Sequence, residues 1–518
     1  MKNSSIFKRC NVAIAIIWLL LVALWMGLTM LEVPMDTDVK AVKNALVSKL
    51  YYKDQCVDVN GGWIRLLGQR RCNGVVRLKN GGLVFIRRKD RKDRQKARLA
   101  ECCEYLKARN TPHIVALAPQ KMTMDDSLGY GGWPRLEYNE IADGYIDFFV
   151  RNSIQHFDMR REFCSSADMV ERAFYKTDLH WKFDSALCAT RLLMPILAQM
   201  CGEADSQSSV RDCMNRFVLH DLARSFCGSY GKRTGILFSG VDFPVHYFTY
   251  DSCDVISKSM PVRNKFCSGT FDNSVINWSA LEQPKSHFED RFYECYENGL
   301  TPFVRYRHAA APIKKKLLMV KDSFAMPVAA MASVVFAAVD VIDPRNFKDV
   351  DFYEYVQAVE PDVVCFVFNT SGDWMPDNSF WANKPSFSAD NGEDWEIVYE
   401  KPRMNLSAGT NSCYYAKVCE FSGDAGCCRI IIGDVQVVEG EQAGITVSVQ
   451  DVEMKKEVRI DTFAIDADTL SKFHIIFPIS GLDENRKYKI LVYAGVRGQT
   501  ANTRLVVKDF RLEKLNNR

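Results

Sequence analysis

Leu317-Leu318-Met319-Val320-Lys321-Asp322-Ser323-Phe324 is four apolar residues followed by a polar turn, and small residues from Ala325 to Ala338 come next. The tetrad reads as a buried strand and the small-residue run as a helix, with Pro327 tolerated in its first turn. Downstream, Val339 to Ile342 resumes as a strand ending at Asp343-Pro344-Arg345, and Val363 to Phe368 forms another ending at Asn369. Upstream, a charged helical stretch from Asp90 to Asn110 is broken by Thr111-Pro112 before the apolar run Ile114 to Ala118, which ends in Pro119-Gln120-Lys121. Strands alternating with helices predict an α/β domain on a doubly wound, mainly parallel sheet. Such sheets place ligands outside the carboxyl ends of their strands, where Lys121, Ser323, Arg345 and Asn369 fall.

The second informative stretch is Phe174-Tyr175-Lys176-Thr177-Asp178-Leu179-His180-Trp181, ahead of a helix expected from about Lys182 to Met200. Serine is a poor nucleophile at neutral pH, so acyl transfer needs an imidazole to take its proton and a carboxylate to orient that imidazole. Ser323 sits on a strand-to-helix turn, where backbone amides can face a developing oxyanion. Asp178 and His180 are two apart, so in an extended segment both side chains point to one side. Each residue also has an ordinary reading: Ser323 and Asp178 as helix caps, His180 as a core histidine.

The 518 residues, 47 % apolar and 25 % charged, predict two or three globular domains; the net charge of +3 says little, and with no concentrated basic face no nucleic-acid partner is expected. The short basic clusters Arg87, Arg88, Lys89, Arg91 and Lys314, Lys315, Lys316 read as solvated edges. Cys10 to Leu31 carries no charge and is long enough to cross a bilayer. Lys2, Lys8 and Arg9 precede it and Glu32, Asp36 and Asp38 follow, which predicts a single-pass signal anchor over 10–31 with the remainder extracytoplasmic. The run lacks the small-residue cleavage site of a signal peptide. Eighteen cysteines in an exported chain make several disulfides plausible. No cysteine or histidine pattern with metal-ligand spacing occurs, and no cofactor is expected. The irregular, aromatic-rich segment 201–301 reads as a lid or cap inserted into a catalytic domain spanning 50–400. From 402 to 518, short β-rich segments with regular turn residues predict a β-sandwich.

Thr177-Asp178-Leu179-His180-Trp181, followed by Leu318 to Phe324 and Val341-Ile342-Asp343-Pro344-Arg345, resembles the DHHW family. That family is SGNH-hydrolase-like and includes the alginate O-acetylation proteins AlgX and AlgJ. The resemblance takes in Leu78-Lys79-Asn80-Gly81-Gly82-Leu83-Val84, Ala118-Pro119-Gln120-Lys121 and Pro361-Asp362-Val363-Val364, and so spans roughly residues 50 to 375. It implies Ser323 as nucleophile, His180 as general base and Asp178 as its orienting carboxylate. It further implies an O-acetyltransferase acting on an exported polysaccharide, supplied with acetyl by a membrane-bound O-acyltransferase partner. The alternatives are a polysaccharide acetylesterase and a non-catalytic polysaccharide-binding or assembly protein. Leu179 and Lys321 depart from the family's usual residues, and neither departure removes a catalytic group. In this setting Asn369 is a candidate amide donor to the oxyanion, with an ordinary strand-end role competing. Lys121 and Arg345 are candidates for binding sugar, with salt bridges competing, and Trp181 is a candidate for stacking on a sugar ring, with core packing competing. The C-terminal β-domain resembles carbohydrate-binding modules.

Overall fold

The computed structural model describes residues 52–86, 93–130, 136–263, 265–347, 351–370, much of 372–515, and part of 16–27. Its centre is an eight-stranded mixed sheet. In chain order the strands are β1 (His113–Ala118), β2 (His156–Asp158), β3 (Ile256–Met260), β4 (Lys265–Gly269), β5 (Phe303–Arg307), β6 (Ile313–Lys321), β7 (Phe336–Ile342) and β8 (Val363–Asn369). Across the sheet they run β2-β1-β8-β6-β7-β5-β3-β4. The five from β2 to β7 are parallel, and β5, β3 and β4 extend the sheet antiparallel.

The tetrad in β6 lies at the middle of this sheet. Leu317 and Met319 enter one core and Leu318 and Val320 the other, as the two-residue period of a strand requires. All four are at most 1 % exposed, and each such burial stabilises the fold by roughly 1.5–3 kcal/mol. Helices α1 (Asp93–Ala108), α2 (Tyr138–Arg151) and α5 (Phe352–Val359) cover the face of Leu318 and Val320. Helices α3 (Phe183–Met200) and α4 (Met326–Ala332) cover the other. The sheet is therefore doubly wound, with a mixed rather than wholly parallel order.

The structure corrects several expectations. The small-residue run is not one helix: a 3-10 turn at Ser323–Ala325 leads into the short α4, and β7 already begins at Phe336. Val334, Val335 and Phe336 favour extended backbone, and Phe336 pairs with Ile313 across the ladder. The segment 201–301 is not a separable lid. It supplies β3 and the edge strand β4, and its Phe217, Phe248, Phe271, Phe292 and Tyr296 are buried in the main core. Aromatic density in this stretch was core-forming, and periodicity was poor because the elements are short. The described cysteines do not form the disulfides expected: Cys102, Cys103, Cys295 and Cys365 are buried free thiols, and burial pushes Cys103 up to about 12.

From Trp395 to Leu515 two antiparallel sheets enclose a core of their own, with Ile430 and Ile432 from one facing Ile445, Val447, Ile490 and Val492 from the other. This unit begins at 395 rather than 402, because Trp395–Lys401 pairs with the final strand Thr503–Leu515. Buried charges join it to the α/β unit. Arg305 of β5 and the Ser259 hydroxyl of β3 both donate to Asp461, and Arg429 bridges Glu513 and Glu360 at 2.8 Å each.

Most of 10–31 and all of Arg87, Arg88, Lys89 and Arg91 lie outside the described residues. Ile16, Ile17, Leu19, Leu20 and Leu24 are helical and exposed. Among the described residues no helix is long and apolar enough to cross a membrane.

Candidate active site

Ser323 stands where β6 ends. Asp322 caps the 3-10 turn by accepting from the Phe324 amide at 2.9 Å, and its second oxygen accepts from the Asn369 amide at 2.7 Å. One carboxylate thus fixes the turn after β6 to the end of neighbouring β8. Ser323 is left half-buried while Lys321, Asp322, Phe324 and Ala325 are buried around it.

The Asp178–His180 segment approaches from the start of α3. It is not extended: Asp178 Oδ1 accepts from the backbone amide of His180 at 2.9 Å and from its Nδ1 at 2.5 Å, so a local turn brings base and orienter together. With Nδ1 donating to the carboxylate, Nε2 is the accepting nitrogen, and it lies 2.8 Å from Ser323 Oγ. Asp178, His180 and Ser323, 143 residues apart at the longer gap, therefore form one continuous relay. The second Asp178 oxygen accepts from the Ser229 amide at 2.6 Å. Burial pushes the Asp178 carboxyl up, but the charge and hydrogen bond of His180 and the amides of Ser229 and His180 outweigh it, leaving the carboxyl well below the usual range. It is an anion whenever the imidazole acquires a proton.

Two buried charges fix the segment's backbone from opposite sides. Lys121 donates to the carbonyls of Leu83, Lys176 and Asp178. Asp242 accepts from the amides of Lys176 and Thr177 at 2.6 and 2.9 Å and from the Thr177 hydroxyl at 2.6 Å. The approach of the 227–229 turn is close enough to demand glycine, since a methyl group at Gly228 would lie 2.2 Å from the Asp178 Cβ. Tyr293 stacks on the imidazole of His180 with ring centroids 3.9 Å apart and 11° between planes.

Four other expected site residues are present but otherwise engaged. Lys121 is 3 % exposed and its three donors serve three carbonyls, so it positions the loop and does not bind sugar. Trp181 is fully buried, donating to the Phe324 carbonyl at 3.0 Å, and cannot stack on a ligand. The Asn369 side-chain amide donates to the carbonyls of Ala118 and Pro119 at 3.3 and 2.9 Å, the ordinary strand-end role, and joins β8 to β1. Arg345 forks onto Asp343 at 2.9 and 2.6 Å, the salt bridge that competed with sugar binding. Conversely, Gly228, Ser229, Asp242 and Tyr293 went unrecognised. All belong to 201–301, where neither periodicity nor motif singles them out.

Residues 84–213 match the family described as SGNH hydrolase-like domain, acetyltransferase AlgX. The matched span contains Asp178 and His180 and ends before Ser323. No curated protein sequence matches the chain. Among solved structures, PatB1 of Bacillus cereus is similar at 18 % identity over 57 % of this chain and 97 % of its own, with a TM-score of 0.46. A DHHW family protein from Eubacterium siraeum is similar at 14 % identity over 58 % and 94 %, with a TM-score of 0.42. AlgX of Pseudomonas aeruginosa is similar at 11 % identity over 85 % and 94 %, with a TM-score of 0.34.

Proposed function

We propose that this chain, which carries an AlgX-type SGNH hydrolase-like domain, is an O-acetyltransferase that works through an acetyl-Ser323 intermediate and passes the acetyl group to a hydroxyl of an exported polysaccharide. The observation that carries this reading is the relay itself: a buried anionic carboxylate, an imidazole with one committed and one accepting nitrogen, and a half-exposed serine hydroxyl 2.8 Å away.

In the first half-reaction His180 Nε2 takes the Ser323 proton as Oγ attacks the acetyl carbonyl carbon. The backbone amide of Ser323, at the head of the turn where intrahelical bonds have not begun, donates to the oxyanion; the next amide, at Phe324, already serves Asp322. Collapse breaks the bond to the donor's leaving group, which departs with the proton returned by His180. In the second half-reaction a sugar hydroxyl attacks the acetyl-serine, His180 takes its proton, and Ser323 leaves with that proton restored. Asp178 remains ionised throughout and stabilises the imidazolium. The acetyl donor is an activated ester delivered by a membrane-bound O-acyltransferase, and the apolar run 10–31 anchors the catalytic unit outside the cytoplasm.

The test is to incubate the protein with p-nitrophenyl acetate, with and without an oligosaccharide acceptor, beside Ser323→Ala. We expect p-nitrophenol release by the native chain, loss of that release in Ser323→Ala, and acetylated oligosaccharide in the mass spectrum. Acetate without acetylated sugar makes the protein an esterase, and equal inactivity of native chain and variant in both conditions overturns the enzymatic reading.

A further inference from the structure

His180 is held at its two ring nitrogens, by Asp178 on one edge and Ser323 on the other. Two hydrogen bonds hold the ring by its edges, and neither presses on its faces. A displacement of the ring along its own normal would carry Nε2 off the line to Oγ. The face of the imidazole is where this freedom can be removed, and there Tyr293 lies almost parallel at 3.9 Å. Phe183 stacks on the same tyrosine at 5.3 Å and 23°, so Tyr293 is supported by a second ring.

The backbone around Tyr293 is anchored by charge. Four residues on, Glu297 Oε2 meets Lys321 Nζ at 2.5 Å, with both side chains fully buried. Lys321 is the last residue of β6, two before Ser323. A second buried lysine, Lys258 of β3, donates to the carbonyls of Tyr296 and Val275 at 3.3 and 3.2 Å. A buried ion pair is weak evidence for stability, because apolar residues of similar volume often serve as well. What this pair does geometrically is tie the segment carrying Tyr293 to the strand carrying Ser323.

We propose that Tyr293 is a positioning residue for the catalytic base, its ring stacked on His180 and its segment fastened to the nucleophile's strand by the buried Lys321–Glu297 pair, so that the imidazole stays aligned between Asp178 and Ser323 in both half-reactions. The stack serves a second purpose, since an imidazolium against an aromatic face is favoured over one against an aliphatic side chain. The inference rests on the Ser323–His180 chemistry proposed above.

The test uses the full chain in detergent and follows p-nitrophenyl acetate turnover, inactivation by phenylmethylsulfonyl fluoride, and the His180 Cε1–H resonance in protein labelled with 13C-histidine. That resonance is assigned by its loss in His180→Gln. Tyr293→Leu lowers kcat and the inactivation rate by about ten- to a hundredfold with KM little changed, whereas Tyr293→Phe, which keeps the ring, recovers most of the loss. The His180 resonance lies upfield of the usual histidine position in the native chain and in Tyr293→Phe. A folded Tyr293→Leu with native kcat, a Tyr293→Phe as slow as a ringless site, or a native His180 resonance with no ring-current shift each overturns the proposal. Should Tyr293→Leu fail to fold, the native resonance and the Tyr293→Phe rate still decide. Failure of the sulfonyl fluoride to label Ser323 in the native chain sinks the functional reading instead, and the resonance separates the two failures.

Discussion

Both halves of the molecule bury charged side chains, and they aim them differently. In the α/β unit Lys121, Asp178, Asp242, Asp322, Lys321 and Glu297 converge on the ends of the parallel strands, and the group they surround, Ser323, is the one left half-open to solvent. In the C-terminal sheets Asp461, Arg429 and Glu513 are equally buried, yet they point across the seam at Arg305, Glu360 and each other, and among the described residues no exposed nucleophile stands between them. Charges aimed at one another fasten two bodies together. Charges aimed at a half-open hydroxyl tune its reactivity.

The largest expected effect tests the catalytic half. Asp178→Asn keeps the shape of the turn but cannot hold the imidazole in its donating tautomer or stabilise the imidazolium, and we expect kcat for p-nitrophenyl acetate to fall by about 10⁴. A loss smaller than tenfold would show that the relay is not the active device. Next in size is the seam. Arg305→Leu leaves Asp461 buried without its cation, and denaturant unfolding should report a loss of about 3–5 kcal/mol. The folded fraction should turn over the small ester at the native rate, and a parallel fall in kcat would dissolve the division drawn above.

The smallest effect separates positioning from stability at one residue. Burial pushes Lys121 down to about 8, against a partial upward pull from Asp242 and Asp178. Below that pH its three hydrogens serve three carbonyls; above it the neutral amine has two, and one of Leu83, Lys176 or Asp178 loses its donor. Losing one hydrogen bond worth about 0.5–1.5 kcal/mol predicts a two- to tenfold decline in kcat above about pH 8 that Lys121→Met does not show. Stability moves the opposite way. A lysine with a depressed folded value contributes stability that is fully present above its ordinary 10.5 and is lost as the pH falls to about 8, because the unfolded chain holds the proton across that window. Activity and the Lys121 contribution to stability should therefore diverge between those two values.

The parallel core was legible in the sequence because Leu317–Val320 in β6 and Val363–Phe368 in β8 are uninterrupted apolar runs, as a strand covered on both faces requires. Asp178, His180 and Ser323 were legible as a chemical set and through their order, and the structure brings all three together. For Lys121, Trp181 and Asn369 the sequence left a ligand role and an ordinary one competing, for one shared reason. A polar group at a strand end is equally suited to a ligand and to a neighbouring carbonyl, and only the fold says which is nearer. Lys321 was a bare departure from the DHHW pattern until Glu297 appeared beside it. Ser229, Asp242 and Tyr293 reach the Asp178–His180 segment across more than fifty residues, and such contacts leave no periodic trace.

The dispersal of these contacts also governs when reactivity can arise during synthesis. The base needs an amide from residue 229, a carboxylate from 242 and a ring from 293; the nucleophile's turn needs the amide of Asn369 on β8 to complete the cap at Asp322. A nascent chain stopped short of that strand carries the serine, the histidine and the aspartate but no relay between them. Since long-range pairings close last and domains fold as units as the chain emerges, catalytic competence should switch on in a single late step when β8 docks, and truncated translation products should be inert.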